Sequence, residues 1–401
     1  MLTEAQTLRA QKNCDNDSTG LIPLVDLEGQ TYRGFQGGLF PNGTNTDPAD
    51  HLSAKLAQAK LIRPLTTSGI VDEQQGKIVM IGVGASNPRT EFAAFETRCD
   101  TFSQIHPQLQ IVNTCIGGQG IQKMFHDDDT YWKQAFHQLD SLGLSAMQVQ
   151  IAWVETDNTQ TADTTFPTAP QGLVTNYDTL LATMHRLFPS LRLVYLTARG
   201  YAGYIDQSQG ATVGKGLLFP RDYYNGWAIK WLIEHQINND PGYAYSGASA
   251  ELPFVTWGAY LWADGKNVRS DGLFWDCEND LSGDGLHLSP FGEQKSGTLI
   301  FNSFLNDIAS SYWFTKPASA VVGSSVNNDD LILYPNPAST SISISGLNST
   351  DYVEIYSALG KKVAQRENSF EHIDLDLTPG NYMVKALHNN TVIYRQLTIV
   401  R

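Results

Sequence analysis

The stretch that decides the fold is Lys77-Ile78-Val79-Met80-Ile81, a short apolar run that leads into Gly84-Ala85-Ser86-Asn87. An apolar run of this length, followed by a glycine-containing turn, predicts a buried strand that ends shortly before Ser86. Open α/β sheets bind their ligands just beyond the carboxyl ends of their strands. Ser86 is therefore a candidate functional residue because of its position as well as its hydroxyl group.

A second motif, Gly283-Asp284-Gly285-Leu286-His287-Leu288-Ser289-Pro290, follows much later in the chain. A hydroxyl group is a weak nucleophile unless an imidazole takes its proton, and the imidazole needs a carboxylate to fix its tautomer. Either motif alone is a common coincidence in a turn or loop, but here both occur in order at strand and helix boundaries. We therefore predict a catalytic group of Ser86, His287 and Asp284.

Between Ile78 and Phe314, short apolar runs alternate with amphipathic stretches, which predicts an α/β fold with a parallel sheet covered on both faces. The predicted strands are residues 78–81, 109–112, 147–153, 191–196 and 254–257, and the predicted helices are residues 91–102, 131–142, 177–188, 223–237 and 292–305. An irregular segment and a helix over residues 49–61 precede them. We expect residues 1–76 to wrap the sheet and to complete one domain, residues 1–316.

The pattern changes after Trp313. Residues 317–330 have no hydrophobic periodicity and are rich in Ala, Ser, Val, Asn and Asp, which predicts a linker. From Leu331 onward, apolar and polar residues alternate in runs such as Ser341-Ile342-Ser343-Ile344-Ser345, and glycine-containing turns separate these runs. Residues 331–401 are therefore predicted to form a small antiparallel β-sandwich.

The charge of the chain narrows the range of partners. The 401 residues carry a formal net charge of -14, and no cluster of Lys and Arg is present to neutralise phosphates, which argues against nucleic acid as a partner. No apolar stretch reaches the length of a membrane span. The first residues show no charged segment followed by an apolar core, so we expect no secretion signal in the chain as it stands.

Four cysteines, Cys14, Cys99, Cys115 and Cys277, occur without a Cys-x-x-Cys pair, which argues against a zinc or thioredoxin-type site. Four cysteines allow three disulfide pairings. We favour Cys99 with Cys115, because a helix and the strand after it pack side by side. The acidic stretch at residues 126–129 is predicted to be a solvated helix N-terminus rather than a metal site, and we expect neither a metal nor a cofactor.

The domain from Cys14 to Phe314 resembles the SGNH hydrolases, also called GDSL-type esterases, and looks like an uncharacterised bacterial branch of that superfamily. Gly84-Ala85-Ser86 matches the first motif with Ala in place of Asp, and Asp284 to His287 matches the last. The resemblance implies a three-layer α/β/α flavodoxin-like fold and ester hydrolysis by Ser86, His287 and Asp284. It also implies an oxyanion hole formed with Gly118 and with Asn158, or with Thr156 if the turn is shorter, although the usual third-motif glycine is absent.

The tail resembles the type A C-terminal sorting domain of the type IX secretion system of Bacteroidetes, also known as the Por secretion tail. Its three motifs occur in order: Leu333 to Ala338, Val353 to Lys361, and Leu377 to Tyr382 with the final strand. The resemblance implies recognition by the type IX secretion machinery and a secreted or surface-attached protein. Such proteins also need a signal peptide, so the given chain is expected to start inside a longer precursor.

The aromatic residues that precede the last motif suggest that the substrate is a carbohydrate. Rings near an esterase pocket can stack on sugar faces, although aromatic-rich segments are also common in cores. Glu155 is an alternative substrate-binding residue, whereas Asp157 and Asp163 are predicted to lie in a surface loop. We therefore predict a serine esterase acting on O-acyl groups of carbohydrates; the alternatives are a lipase or aryl esterase and a non-catalytic surface binding module. The candidate substrate-binding residues are Trp257, Tyr260, Trp262 and Tyr201, with Phe274, Trp275 and Tyr204 nearby.

Overall fold

The computed structural model describes residues 11–206, 208, 214–316, 331–336, 338–348, 351–357, 362–367, 369–378, 380–388 and 391–399. Backbone contacts divide the chain into two compact units, Met1–Pro317 and Ala318–Arg401. The predicted linker, residues 317–330, lies outside the described residues. Among the described residues, no helix combines the length and the apolar composition that crossing a membrane requires.

The first unit is mixed α/β and is organised around a parallel sheet. Its strands are β1 (Thr31–Tyr32), β2 (Phe35–Gln36), β3 (Ile78–Gly84), β4 (Leu109–Asn113), β5 (Val149–Glu155), β6 (Leu193–Ala198) and β7 (Phe254–Tyr260). The last five pair in parallel in the order β4-β3-β5-β6-β7, while β1 and β2 form a separate antiparallel pair. Every residue of β3, β5 and β6 is buried, as expected for a parallel sheet covered on both faces.

Helices cover this sheet. They are α1 (Ala49–Ala59), α2 (Ser86–Thr101), α3 (Thr130–Ser141), α4 (Thr168–Leu187), α5 (Arg221–Ile237), α6 (Cys277–Asp280) and α7 (Pro290–Asn306), with 3₁₀ turns at Leu24–Leu27, Pro41–Gly43, Ile121–Lys123, Ala146–Gln148, Lys215–Leu217 and Ile308–Tyr312. Helix α2 packs on α7, and α4 packs on α5. A Cβ added at Gly297 of α7 would lie 2.6 Å from that of Ala94 in α2, so the glycine allows these two helices to approach closely.

The segment before β3 is tied to the far edge of the sheet through backbone groups. The Trp257 indole donates to the Leu39 carbonyl at 2.8 Å, and the Lys230 ammonium donates to the Phe40 carbonyl at 2.9 Å. The Tyr260 hydroxyl accepts from the Leu24 amide at 3.1 Å. These bonds join residues 24–40 to β7 and α5 and satisfy buried polar groups that an irregular segment would otherwise leave unpaired.

The second unit is all β. Its strands are β8 (Ile332–Tyr334), β9 (Ser341–Ser345), β10 (Tyr352–Ser357), β11 (Lys362–Glu367), β12 (Ile373–Asp374), β13 (Gly380–His388) and β14 (Thr391–Ile399). They form two antiparallel sheets, in the orders β11-β10-β13-β14 and β12-β9-β8. Alternate residues of β9, including Ile342 and Ile344, share one apolar core with Val353, Ile355 and Val384 of the other sheet. This period-two burial matches the alternation in the sequence.

Candidate active site

Ser86 stands at the junction between β3 and α2. The strand ends at Gly84, and Ser86 is the first residue of the helix, after Ala85. A Cβ at Gly84 would lie 2.3 Å from the Glu155 carbonyl oxygen and 2.5 Å from Pro88, so only glycine allows this close approach. The tight turn places Ser86 at the carboxyl end of the sheet and at the positive end of the helix dipole.

His287 and Asp284 lie in the loop between α6 and α7. Gly285 in this loop has a φ of 68°, and a Cβ there would lie 2.2 Å from the Tyr204 carbonyl oxygen, so the loop requires glycine at this position. One Asp284 oxygen accepts hydrogen bonds from the amides of Leu286 and His287 at 3.0 and 2.9 Å. The other lies 2.6 Å from His287 Nδ1. The carboxylate thus favours the tautomer with the proton on Nδ1.

The three predicted residues come together. Ser86 Oγ lies 2.9 Å from His287 Nε2, the ring nitrogen opposite the one that faces Asp284. Partial burial raises the pKa of Asp284, but hydrogen bonds from the His287 ring and amide outweigh this effect and hold the pKa below its usual value. Asp284 is therefore a carboxylate at neutral pH. The arrangement can transfer the Ser86 proton to His287 and stabilise the imidazolium that results.

Asn87 joins the two halves of this group, a role that sequence reasoning missed. Its side-chain amide donates to the Leu286 carbonyl at 2.8 Å, one residue before His287. The bond holds the N-terminus of α2 against the loop that carries the imidazole. Its position directly after the candidate nucleophile was the only signal in the sequence, and a sequence alone does not show which carbonyl an Asn side chain reaches.

Gly118 lies in the loop after β4, beside the nucleophile. A Cβ at the preceding Gly117 would be 3.9 Å from Ser86 Cβ, and Gly118 itself has a φ of 74°. The loop is anchored by the Ile116 amide, which donates to the Gly84 carbonyl at 2.9 Å. Among the described residues, no backbone carbonyl accepts from the Gly118 amide outside regular helices and strands. The role of this amide as an oxyanion donor at Ser86 stays a prediction.

The third motif is arranged differently from the expectation. The Asn158 side-chain amide donates to Asn176 at 2.8 Å, and its oxygen accepts from the Gln160 amide at 3.1 Å. Thr156 is 3% exposed, and its hydroxyl has no hydrogen-bond partner in the described part of the chain. Neither side chain forms a hydrogen bond with Ser86 or His287, so their roles as oxyanion donors stay predictions.

The two third-motif candidates can be separated by mutation. Removing one oxyanion donor typically lowers kcat by about a hundredfold to a thousandfold. Because the Asn158 amide is already bonded to Asn176, we expect Asn158→Ala to change kcat by less than about tenfold. Asn176→Ala is the matched control, since it frees Asn158 without removing it. A hundredfold loss in Asn158→Ala but not in Asn176→Ala would show instead that Asn158 turns to the oxyanion during catalysis.

The expected aromatic platform is wrong. Trp257, Tyr260, Trp262 and Tyr201 are all at most 9% exposed, and Tyr204 and Trp275 are buried as well. Their polar atoms bond to the protein: the Trp262 indole donates to Asp222 at 2.8 Å, and the Tyr201 hydroxyl donates to the Asn16 carbonyl at 2.8 Å. Only Phe274 of the group is exposed. Rings enclosed in the core cannot stack on a sugar, so these residues stabilise the fold.

The predicted surface loop is also wrong for Asp157. Its carboxylate is fully buried and pairs with Arg221 at 3.0 Å and with Arg199 at 3.4 Å. Glu155, the alternative substrate-binding residue, is 2% exposed and is not accessible to a large ligand. Charge and polarity alone suggested a loop. The sequence does not show that two arginines, one directly after β6 and one at the start of α5, meet this strand end. Asp163 is partly exposed.

The disulfide also differs from the expectation. Cys14 pairs with Cys277, with a Cα–Cα distance of 5.6 Å, whereas Cys99 and Cys115 are buried free thiols. Burial raises the pKa of both thiols, which keeps them protonated and unreactive. The Lys12 amide also donates to the Gly283 carbonyl at 2.9 Å. The N-terminal segment is thereby attached on both sides of α6, next to the loop that holds Asp284 and His287.

Comparison with known proteins identifies the tail. Residues 332–400 match the family model of the secretion system C-terminal sorting domain. These residues form a type IX sorting domain. It indicates export by the type IX machinery, and the protein is therefore secreted or attached to the cell surface. No curated protein matches the chain.

Solved structures also match the chain, and two of them show how low the similarity is. One is from work on PorZ, a surface component of the type IX secretion system of Porphyromonas gingivalis, with 18% identity, a TM-score of 0.18, and coverage of 23% of this chain and 14% of that one. The other is a modular endo-β-1,4-mannanase from Cellulomonas fimi, with 10% identity, a TM-score of 0.19, and coverage of 73% of this chain and 54% of that one. The chain thus spans only part of each protein, and similarity this low bears on neither fold nor activity.

Proposed function

We propose that the first unit is an ester hydrolase in which Ser86 is the nucleophile, His287 the base and Asp284 the group that orients the base. One observation carries the proposal: Ser86 Oγ lies 2.9 Å from His287 Nε2, while His287 Nδ1 lies 2.6 Å from Asp284. Nucleophile, base and orienting carboxylate within hydrogen-bond reach are the arrangement that activates a serine.

The proposal includes an SGNH-type, flavodoxin-like fold for this unit. Its sheet has the order β4-β3-β5-β6-β7, which corresponds to the order 2-1-3-4-5 of flavodoxin-like sheets when these five strands are numbered from β3. Ser86 follows the first of the five, at the point where the strand order reverses. A ligand site at that point is the arrangement that such sheets favour.

The residues suggest a two-step reaction. Ser86 attacks the ester carbonyl as His287 takes its proton, and the amides of Ser86 and Gly118 stabilise the tetrahedral oxyanion. His287 then gives the proton to the leaving alcohol, and an acyl-Ser86 ester remains. Water, deprotonated by His287, attacks this ester and releases the acid, and the proton returns to Ser86. Asp284 stabilises the imidazolium in both steps without taking its proton.

The substrate that we propose is an O-acylated carbohydrate. The His287 side chain is 42% exposed and that of Asp284 is 29% exposed, so the catalytic group lies at an open surface that a polymer can reach. This openness favours an acylated glycan over a lipase or aryl esterase substrate, and export gives the enzyme access to polymers outside the cell.

A fluorophosphonate probe tests the proposal without knowledge of the substrate. Such probes form a covalent bond only with activated serines, so the purified protein is expected to gain one probe mass by intact mass spectrometry. Ser86→Ala should abolish this labelling. Ser141→Ala, which removes an exposed hydroxyl at the end of α3, should retain it. A folded wild-type protein that remains unlabelled would favour the non-catalytic binding module.

A further inference from the structure

A small polar cavity lies behind the catalytic group. It has a volume of about 20 Å³ and is lined by side chains from α2, from the ends of β5 and β6 and from the loops around α6, including Asn87, Glu91, Glu155, Arg199 and Leu286. Two of these residues, Asn87 and Leu286, are direct neighbours of Ser86 and His287. The cavity has room for one water molecule.

Two carboxyl groups in this cavity each have one oxygen without a hydrogen-bond partner in the described part of the chain. Glu91 and Glu155 are each 2% exposed, and Glu91 Oε2, Glu155 Oε2 and Asn87 Oδ1 are buried without a hydrogen-bond partner in the described part of the chain. The two carboxyl groups interact directly with each other. Two buried carboxylates in contact repel, whereas a pair that retains one proton can form a hydrogen bond.

The charges around the pair agree with one retained proton. Arg199 and Arg221 pair with the buried Asp157 carboxylate, and Arg199 also acts on the buried Asp222. Because carboxyl groups already match these arginines in number, a Glu91–Glu155 pair that keeps a proton adds less uncompensated buried charge than two carboxylates would. Glu293 also acts on Glu91 as a like charge. Cys115 and Tyr201 face the same region, and burial raises the pKa of both, so they stay neutral.

The pair is placed to brace the nucleophile. Glu155 ends β5 and pairs in register with Gly84, the last residue of β3 before the turn. Glu91 lies on α2, on the other side of Ser86. We propose that Glu91 and Glu155 share one proton and together position the turn that carries Ser86, an inference whose positioning part rests on the proposed function. Both are positioning residues, since neither reaches the reacting atoms.

The shared proton is tested by the pH dependence of unfolding. Burial raises the pKa of both Glu91 and Glu155 in the folded protein. The folded state therefore keeps a proton that the unfolded state has lost, so the stability contributed by this proton falls as pH rises from about 4.5 toward the folded pKa. One such proton corresponds to a fall of about 2–4 °C in Tm per pH unit. We expect Glu155→Gln to lack this fall.

Glu96→Gln is the matched control, because Glu96 lies on the same helix and burial raises its pKa to about 7. The pH dependence of stability that Glu96 contributes ends near its pKa. Between about pH 7.5 and 9, Glu96→Gln should therefore keep the wild-type slope of Tm against pH, while Glu155→Gln should flatten that slope. The eight tryptophans all lie before residue 317, so their fluorescence follows the first unit alone. Equal slopes in wild type and Glu155→Gln over this range would overturn the shared proton.

The positioning role is tested by the rate of fluorophosphonate labelling at neutral pH. Glu155→Ala should slow labelling by about tenfold to a hundredfold, because small displacements of a nucleophile carry such costs. Glu155→Gln, which keeps the shape and a hydrogen-bond donor, should restore most of the rate. Labelling of Glu155→Ala at the wild-type rate would overturn the positioning role. Absence of labelling in the wild type would instead overturn the proposed function, while the unfolding experiment would still decide the shared proton.

Discussion

His287→Ala is expected to lower kcat for ester hydrolysis by about a millionfold, because loss of the base costs as much as loss of the nucleophile when both act as one unit. The structure gives the reason: the imidazole is the group within 2.9 Å of Ser86 Oγ that can accept its proton. Hydrolysis of p-nitrophenyl acetate at saturating substrate measures the loss. His126→Ala, which removes an exposed imidazole outside the site, should keep wild-type activity.

Asp284→Asn separates orientation from base chemistry. Asparagine can still accept from the Leu286 and His287 amides, but its NH₂ group would face His287 Nδ1 and favour the wrong tautomer. The expected loss in kcat is about ten-thousandfold, smaller than that of His287→Ala. If both variants retain more than about a hundredth of wild-type kcat, the residual activity would exceed what oxyanion stabilisation and binding supply, and another base must serve Ser86.

The strands of the sheet could be predicted closely because each is a short apolar run, and β3, β5 and β6 are buried throughout. The starts of two helices could not. Helix α2 begins at Ser86 rather than at residue 91, and α4 begins at Thr168 rather than at residue 177. In both helices a proline, Pro88 or Pro170, lies in the first turn, where the missing N–H costs no intrahelical hydrogen bond. These prolines therefore mark helix starts.

The proximity of Ser86, His287 and Asp284 could be predicted because its signals are local: a turn after a strand, and a carboxylate three residues before a histidine. Burial and long-range pairing are not local. The same aromatic residues can line a pocket or fill a core, and Trp262 fills the core because its indole reaches Asp222, forty residues away in the chain. The pairing of Cys14 with Cys277 depends on how the N-terminal segment crosses the unit, which no spacing in the sequence encodes.

Breaking the Cys14–Cys277 disulfide is expected to destabilise the first unit by about 2–5 kcal/mol, because the bond closes a very long loop. The two cysteines are 263 positions apart in the chain. The bond also attaches the N-terminal segment beside the loop of Asp284 and His287, so kcat should fall with stability. Urea unfolding followed by tryptophan fluorescence measures the loss in a Cys14→Ser, Cys277→Ser double variant, and a thiol reductant should lower the stability of the wild type but leave the variant unchanged. Since both proteins keep Cys99 and Cys115, an equal response to reductant would assign the effect to those buried thiols and contradict the role of the disulfide.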